Sequence, residues 1–252
     1  MLRKRKLVAA IACRNQGTRL YGKPIQNLDV VDKVRIIDNI IDCLSLNSCV
    51  SEIVLGISEG VENEIYIQIA KEKNIKYIIG DEEDVLLRLI QCGKVSNATD
   101  ILRVTSESPF LYYDPLEVLW EEYANSEFDA IFLEDIIDGC AFQIVSMDSL
   151  EISHREGEVR HKSEYCTLFI RENLEKFKVK KVVPPSEFIR KDLRLTVDNP
   201  EDLVVCRVLY SNFKEFAPKF PIGKMIEFLD RNPELKNLTA PFCEIGYSTM
   251  YK

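Results

Sequence analysis

Apolar and polar positions change period along this chain in a regular way. Leu7–Cys13 is a continuous apolar run followed by the polar, glycine-containing stretch 14–23, which predicts a central parallel strand ending in a loop. Val34, Ile37, Ile40, Ile41 and Leu44 then recur at three- and four-residue steps, the pattern of one buried helical face. The exchange repeats, with strand patterns over 53–57, 77–79 and 101–105 and helical patterns over 61–73 and 84–95. Asp114 and Pro115 read as the N-cap and first position of a helix running to 125, followed by a short strand over 130–133. Strands alternating with helices predict an α/β protein, a Rossmann-like doubly wound and mostly parallel sheet covered by helices.

Beyond Cys140 the rhythm loosens. Residues 141–146 and 177–183 read as strands with a helix over 163–173 between them, and Pro184-Pro185 marks a turn. A small insertion or dimer arm fits this stretch. A strand is expected over 193–197; Asp198 and Asn199 then offer a cap, Pro200 starts a helix to 210, and a last helix covers 222–229. The charge-rich tail after Asn232, with Tyr247 and Tyr251, is either a partner-binding or dimer segment or a frayed terminus. With no internal repeat and no low-complexity linker, residues 1–252 are expected to form one domain, with 140–190 its acceptor-site or dimerisation subregion.

Composition narrows the functional classes. A chain of 252 residues that is 46% hydrophobic can bury a sizeable core. Its 33 lysines and arginines against 41 aspartates and glutamates give a net charge of −8, which argues against general affinity for nucleic acid or anionic membrane. Phosphate binding must then be local. The eight cysteines form no CxxC pair and only His154 and His161 could join them, so a structural zinc site is not expected. Buried free thiols fit a reducing compartment, and the cytoplasm is the expected location. The basic start leads into an apolar run too short for a signal peptide, and no apolar stretch approaches the roughly 20 residues of a membrane span. Both histidines lie in a polar stretch that looks loop-like; solvent exposure is expected and neither receives a catalytic role.

The most informative segment is Ala12-Cys13-Arg14-Asn15-Gln16-Gly17-Thr18-Arg19-Leu20-Tyr21-Gly22-Lys23-Pro24, in which three cations and two glycines follow a strand. Glycines let backbone N–H groups approach phosphate oxygens, and arginines and a lysine neutralise them. The segment is neither the GxxxxGK[ST] loop nor the GxGxxG turn. On the residues alone it is either a triphosphate cradle or a basic surface loop.

It also resembles the R-x-x-S-x-R-L-P-G-K loop of the cytidylyltransferases that activate KDO and of spore-coat polysaccharide cytidylyltransferases, with Arg14, Arg19 and Lys23 at matching spacing. Further segments follow in order. Residues 81–88 (DEEDVLLR) are similar to that family's E-E-D-V-L-x-R, and residues 103–110 (RVTSESPF) to its R-x-T-G-D-C-P-L. Asp138-Gly139 with Phe142 to Ser146, together with residues 164–171 (EYCTLFIR), is similar to D-G-x-D-V-E-V-F-S and E-H-V-T-x-Y-I-R. Residues 193–203 (LRLTVDNPEDL) match L-R-L-T-V-D-x-P-E-D-L almost throughout. The resemblance spans about residues 6–210. Glu107 stands where the family has aspartate and Ser106 where it has glycine, while Gln143, Tyr165 and Tyr21 replace glutamate, histidine and proline.

The resemblance implies transfer of CMP from CTP to a sugar acid or sugar phosphate, with release of pyrophosphate, for surface glycan biosynthesis. It implies Arg14 and Lys23 as catalytic cations, and Ala12, Arg14, Asn15, Gly17, Thr18, Arg19, Lys23, Asp81, Arg88 and Arg103 as nucleotide contacts. Gln143, Glu164 and Tyr165 would meet the acceptor, and Glu107 and Asp198 would hold magnesium. Competing roles stay open: a helix N-cap for Asp198, a solvated loop acid for Glu107, a structural ion pair for Arg19. Similar enzymes are commonly homodimers. The alternatives are an inactive nucleotide-binding homologue, a transferase using GTP or another triphosphate, and a Rossmann-type dehydrogenase or glycosyltransferase, against which the absent motifs count.

Overall fold

The computed structural model of the protein describes residues 5–250. Strands and helices follow in the order β1 (Leu7–Cys13), β2 (Asn27–Asp29), β3 (Val34–Arg35), α1 (Ile36–Ser45), β4 (Val50–Ser58), α2 (Ile65–Glu72), β5 (Lys76–Gly80), α3 (Val85–Val95), β6 (Asp100–Thr105) and α4 (Leu116–Ala124). They continue with β7 (Ala130–Leu133), β8 (Gln143–Ser146), α5 (Met147–Glu156), α6 (Leu168–Glu172), β9 (Val179–Val182), α7 (Pro200–Asn212), α8 (Ile222–Arg231) and α9 (Pro233–Met250).

Seven strands form one sheet in the order β5-β4-β1-β6-β8-β7-β9, and β2 and β3 form a separate hairpin. All neighbours in the large sheet are parallel except β8, which runs antiparallel to both β6 and β7. The sheet is therefore mostly parallel, as the periodicity predicts. Successive connections build outward from β1 through β4 to β5, then return to place β6 on the other side of β1. That reversal opens a crevice at the carboxyl ends of β1 and β6, where ligands bind in open α/β sheets.

Period-two alternation explains why helices cover both faces. Leu7, Ala9, Ile11 and Cys13 of β1 pack into a core with α1, α4, α7 and α8, whereas Val8 and Ala10 face a second core with α3, α5 and α6. Ile36, Ile37, Ile40, Ile41 and Leu44 bury the inner stripe of α1 in the first core. Each such side chain contributes about 1.5–3 kcal/mol on full burial.

Four expectations differ from the structure. The helix expected over 163–173 shrinks to α6, because the Ser163 hydroxyl donates back to the Arg160 carbonyl and the chain turns before Leu168. No strand forms over 193–197. Leu195 N–H donates to Asp138 and Val197 N–H to Glu107, two different loops, so no continuous ladder develops beyond a single bridge between Asp138 and Arg194. Helix α5 forms where no helix is expected. Its inner face carries buried Ser149 and Ser153, whose hydroxyls are satisfied locally (Ser153 Oγ to Ser149 O, 2.7 Å), so the apolar stripe is interrupted. Finally, the tail forms α9, which packs against α7 and α8; Tyr251 lies outside the described residues.

The histidines are also not solvent-exposed loop residues. His161 is buried, its Nδ1 accepting from the Glu158 N–H at 2.8 Å and its Nε2 2.9 Å from Glu172. His154 sits on α5, with Nε2 2.8 Å from Asp84.

Candidate active site

A cavity of about 950 Å³ opens at the carboxyl ends of β1 and β6 and is lined by the 14–24 loop, the start of α3, the 103–107 segment and the 159–165 loop. Burial of its framework sets the loop. Asn15 is 3% exposed, its N–H donates to Asn63 Oδ1 at 2.8 Å, and Tyr66 donates its hydroxyl to Asn15 Oδ1 at 2.8 Å. A Cβ on Gly17 would lie 2.4 Å from the Leu20 carbonyl oxygen, so this turn requires glycine.

Three cations leave that loop. Lys23 Nζ donates to Asp198 Oδ1 at 2.6 Å, and Arg19 Nη2 lies 3.1 Å from the same oxygen. Arg14 is half-exposed and 3.9 Å from Glu164. Asp198 is thus both capping neighbour and site acid: it precedes α7, whose actual cap is Asn199 paired with Asp202, and its carboxylate points into the cation cluster. Burial pushes the Asp198 carboxyl up, but Lys23, Arg19 and Arg194 more than offset this and hold it below the usual range.

Glu107 approaches from the other side. The Val197 N–H donates to the Glu107 carbonyl at 3.0 Å, and hydroxyls chain Thr105 to Ser108 and Thr196 at 2.7 and 3.1 Å, fastening the two loops together. Desolvation raises the Glu107 carboxyl, Lys23 opposes the rise, and Asp198 adds to it. Two carboxylates thus interact across the crevice. Magnesium takes one or two carboxylates, with phosphate oxygens and water completing its octahedron, so these donors fit that ion. No cluster of three or more metal-ligating side chains occurs among the described residues.

Arg88 is 1% exposed and lines the cavity floor. Among the described residues it donates only to carbonyls, Cys13 and Gly56 at 3.2 Å and Glu82 at 3.5 Å, and its Nε has no partner there. Burial lowers its pKa. Arg103 likewise meets neutral acceptors, Gln143 Oε1 at 3.2 Å and the Glu164 carbonyl at 2.8 Å. Two guanidinium charges in one cavity with no carboxylate at salt-bridge distance among the described residues favour an anionic ligand.

Most residues singled out by sequence therefore converge: Ala12, Arg14, Asn15, Gly17, Thr18, Arg19, Lys23, Arg88, Arg103, Glu107, Glu164 and Tyr165 all line the cavity. Two do not. Asp81 accepts the Glu83 and Asp84 N–H groups at 2.8 Å and shapes the turn before α3, and those donors lower its pKa. Gln143 sits behind Arg103. Sequence reasoning missed Asn63, Tyr66, Arg160, Asp138 and Arg194. Only the last two carried a signal, since both lie within quoted motifs.

No family model matches the chain. It is 24% identical over 229 residues to the spore coat polysaccharide biosynthesis protein SpsF of Bacillus subtilis, covering 89% of this chain and 94% of that protein. Among solved structures, a cytidylyltransferase from Leptospira borgpetersenii superposes with a TM-score of 0.82 at 21% identity, over 92% of this chain and 96% of that one. CMP:2-keto-3-deoxy-manno-octonic acid synthetase, solved with CTP, superposes at 0.61 and 14% identity over 82% and 99%. The fold is that of the nucleotidyltransferases of nucleotide-diphospho-sugar type. The resemblance to cytidylyltransferases seen in the motifs extends across most of the chain.

Proposed function

We propose that the protein is a nucleotidyltransferase of the cytidylyltransferase type, moving CMP from CTP to a sugar acid or sugar phosphate that serves surface glycan synthesis. The observation that carries this reading is the meeting of Lys23 and Arg19 on Asp198 beside Glu107, in a crevice lined by Arg88, a buried guanidinium held by carbonyls alone among the described residues. Phosphate-binding cations and metal-binding acids occupy one point. The crevice lies where the sheet changes direction.

In the reaction, an acceptor oxygen attacks the α-phosphorus of CTP, the bond from that phosphorus to the bridging oxygen breaks, and pyrophosphate leaves. Lys23 and Arg14 neutralise charge gathering on the departing pyrophosphate, while Arg19 steadies the α-phosphate. Glu107 and Asp198 would hold magnesium, which supplies Lewis-acid polarisation of the phosphate oxygens. Glu164 and Tyr165, from the 140–190 subregion, line the side of the cavity assigned to the acceptor, with Gln143 supporting Arg103 from behind. All eight cysteines are free thiols, in keeping with a cytoplasmic enzyme. No helix among the described residues is long and apolar enough to cross a membrane.

Thermal stabilisation by CTP, GTP, ATP and UTP in magnesium tests the reading, because a ligand that binds only the native state raises its apparent stability. CTP should stabilise selectively, and pyrophosphate should then appear with a suitable acceptor. Indifference to all four nucleotides in a folded protein would overturn it, and preference for GTP would change the base assigned. Glu107 in the aspartate position favours one second reading, a nucleotide-binding homologue without turnover; it predicts CTP binding with no pyrophosphate from any acceptor.

A further inference from the structure

We propose that the C-terminal helix α9 is a clamp that fixes the carboxylate of Asp198, acting through Arg194. The inference rests on the nucleotidyltransferase reading for its functional half and on geometry for its structural half. Arg194 is 2% exposed and its five N–H groups are all used. Nε donates to Asp202 at 3.2 Å, and Nη1 donates to Asp138 at 2.7 Å and to the Phe242 carbonyl at 3.1 Å. Nη2 donates to Asp198 at 2.9 Å and to Asp202 at 3.5 Å. One of the five acceptors therefore comes from α9, the carbonyl of a residue 48 positions away in sequence.

Helix α9 reaches the guanidinium because Gly246 has no side chain. A Cβ there would stand 1.7 Å from Arg194 Nη1 and 2.4 Å from Asp138 Oδ2, so any other residue must push the helix or the arginine aside. Farther along, the Tyr247 hydroxyl donates to Asp135 at 2.7 Å and pins the end of the helix to the loop before Asp138. The chain of contacts is continuous from α9 to the site. Arg194 holds Asp198 Oδ2, which leaves Oδ1 turned toward Lys23 and Arg19. Arg194 is thus a positioning residue, and the last helix supports the geometry of an acid far from it in sequence.

Gly246→Ala tests the clamp, with Gly223→Ala in α8 as control, since a Cβ there meets nothing nearer than 3.6 Å. Amide hydrogen exchange over 193–203 should quicken in G246A and stay unchanged in G223A. Turnover of G246A should fall by on the order of 100-fold, as misplacement by about an ångström produces. Its half-saturating magnesium should rise, while nucleotide KM changes little. Arg194→Lys should lose turnover similarly, because a lysine cannot span three aspartates. Unchanged exchange over 193–203 in folded G246A overturns the clamp, as does faster exchange with normal turnover and metal dependence. A wild-type chain that binds no magnesium-triphosphate defeats the nucleotidyltransferase reading instead, and the exchange measurement still decides the clamp.

Discussion

The two ends of the sheet treat charge in opposite ways. At the amino ends of β1, β4, β5 and β6, the acids Glu52 and Asp100 have their partners: Glu52 accepts from Lys6, from Ser96 at 2.9 Å and from Lys76 at 2.6 Å. Buried Asp100 accepts from the hydroxyls of Thr99 at 2.6 Å and Tyr123 at 3.0 Å and lies 3.6 Å from Arg5. A hollow of about 520 Å³ exists there too, but its cations are already paired, Lys94 with Glu151 and Arg5 with Asp100. At the carboxyl ends the account does not close. Among the described residues Arg88 and Arg103 hydrogen-bond only to neutral acceptors, while Lys23 and Arg19 crowd one oxygen of Asp198. One end pairs these acids internally, and the other keeps two guanidinium groups without a carboxylate at salt-bridge distance among the described residues.

Removing Lys23 breaks this contrast most severely. Lys23→Ala should lower pyrophosphate release by about 100- to 1000-fold, roughly 2.7–4 kcal/mol of lost charge stabilisation at the leaving group. Its melting temperature should move little, because Asp198 keeps Arg19 and Arg194. Near-normal release from a folded K23A protein would refute the role given to this lysine.

The crowding on Asp198 predicts a subtler effect. While the carboxylate holds Lys23 and Arg19, those cations are withheld from phosphate, and a metal ion taking the carboxylate would release them. Asp198→Asn should therefore bind CTP more tightly than the wild type when magnesium is chelated, by about tenfold for ~1.4 kcal/mol of relieved attraction. Turnover with magnesium should fall in the same variant. Calorimetry in chelator measures the first quantity; weaker or equal metal-free binding would show that the two ion pairs do not restrain the loop.

These two predictions use residues that the sequence displays openly, and the reason is distance along the chain. Arg14, Arg19 and Lys23 follow one apolar strand within a single loop, so strand, glycines and cations are read together. The α/β alternation is legible because buried parallel strands are continuous apolar runs. Other features are hidden by the kinds of contact that make them. Helix α5 buries serines that satisfy one another, and residues 193–197 spend their amides on separate loops. Helix α9 meets the site through a backbone carbonyl and a glycine, neither of which leaves a periodic trace. Arg194 and Asp138 lie 56 residues apart, so their pairing is visible only once the fold brings them together.

The amino end offers the complementary test, with the smallest effect. Lys6 first, then Lys76 and Ser96, pull the Glu52 carboxyl down to about 2, against burial that would raise it. A carboxyl depressed in the folded state contributes stability that is fully present above its ordinary value near 4.5 and is lost as pH falls toward 2. Screening by solvent limits the contribution of this partly exposed cluster to about 1 kcal/mol. Glu52→Gln should therefore lower denaturant stability by about that amount at pH 7, with the gap to the wild type narrowing progressively below pH 4.5. Pyrophosphate release and CTP binding should be unchanged, because the substitution lies at the paired end of the sheet. A loss of CTP binding in E52Q would mean that the two ends are coupled through β4, and the division of labour between them would have to be abandoned.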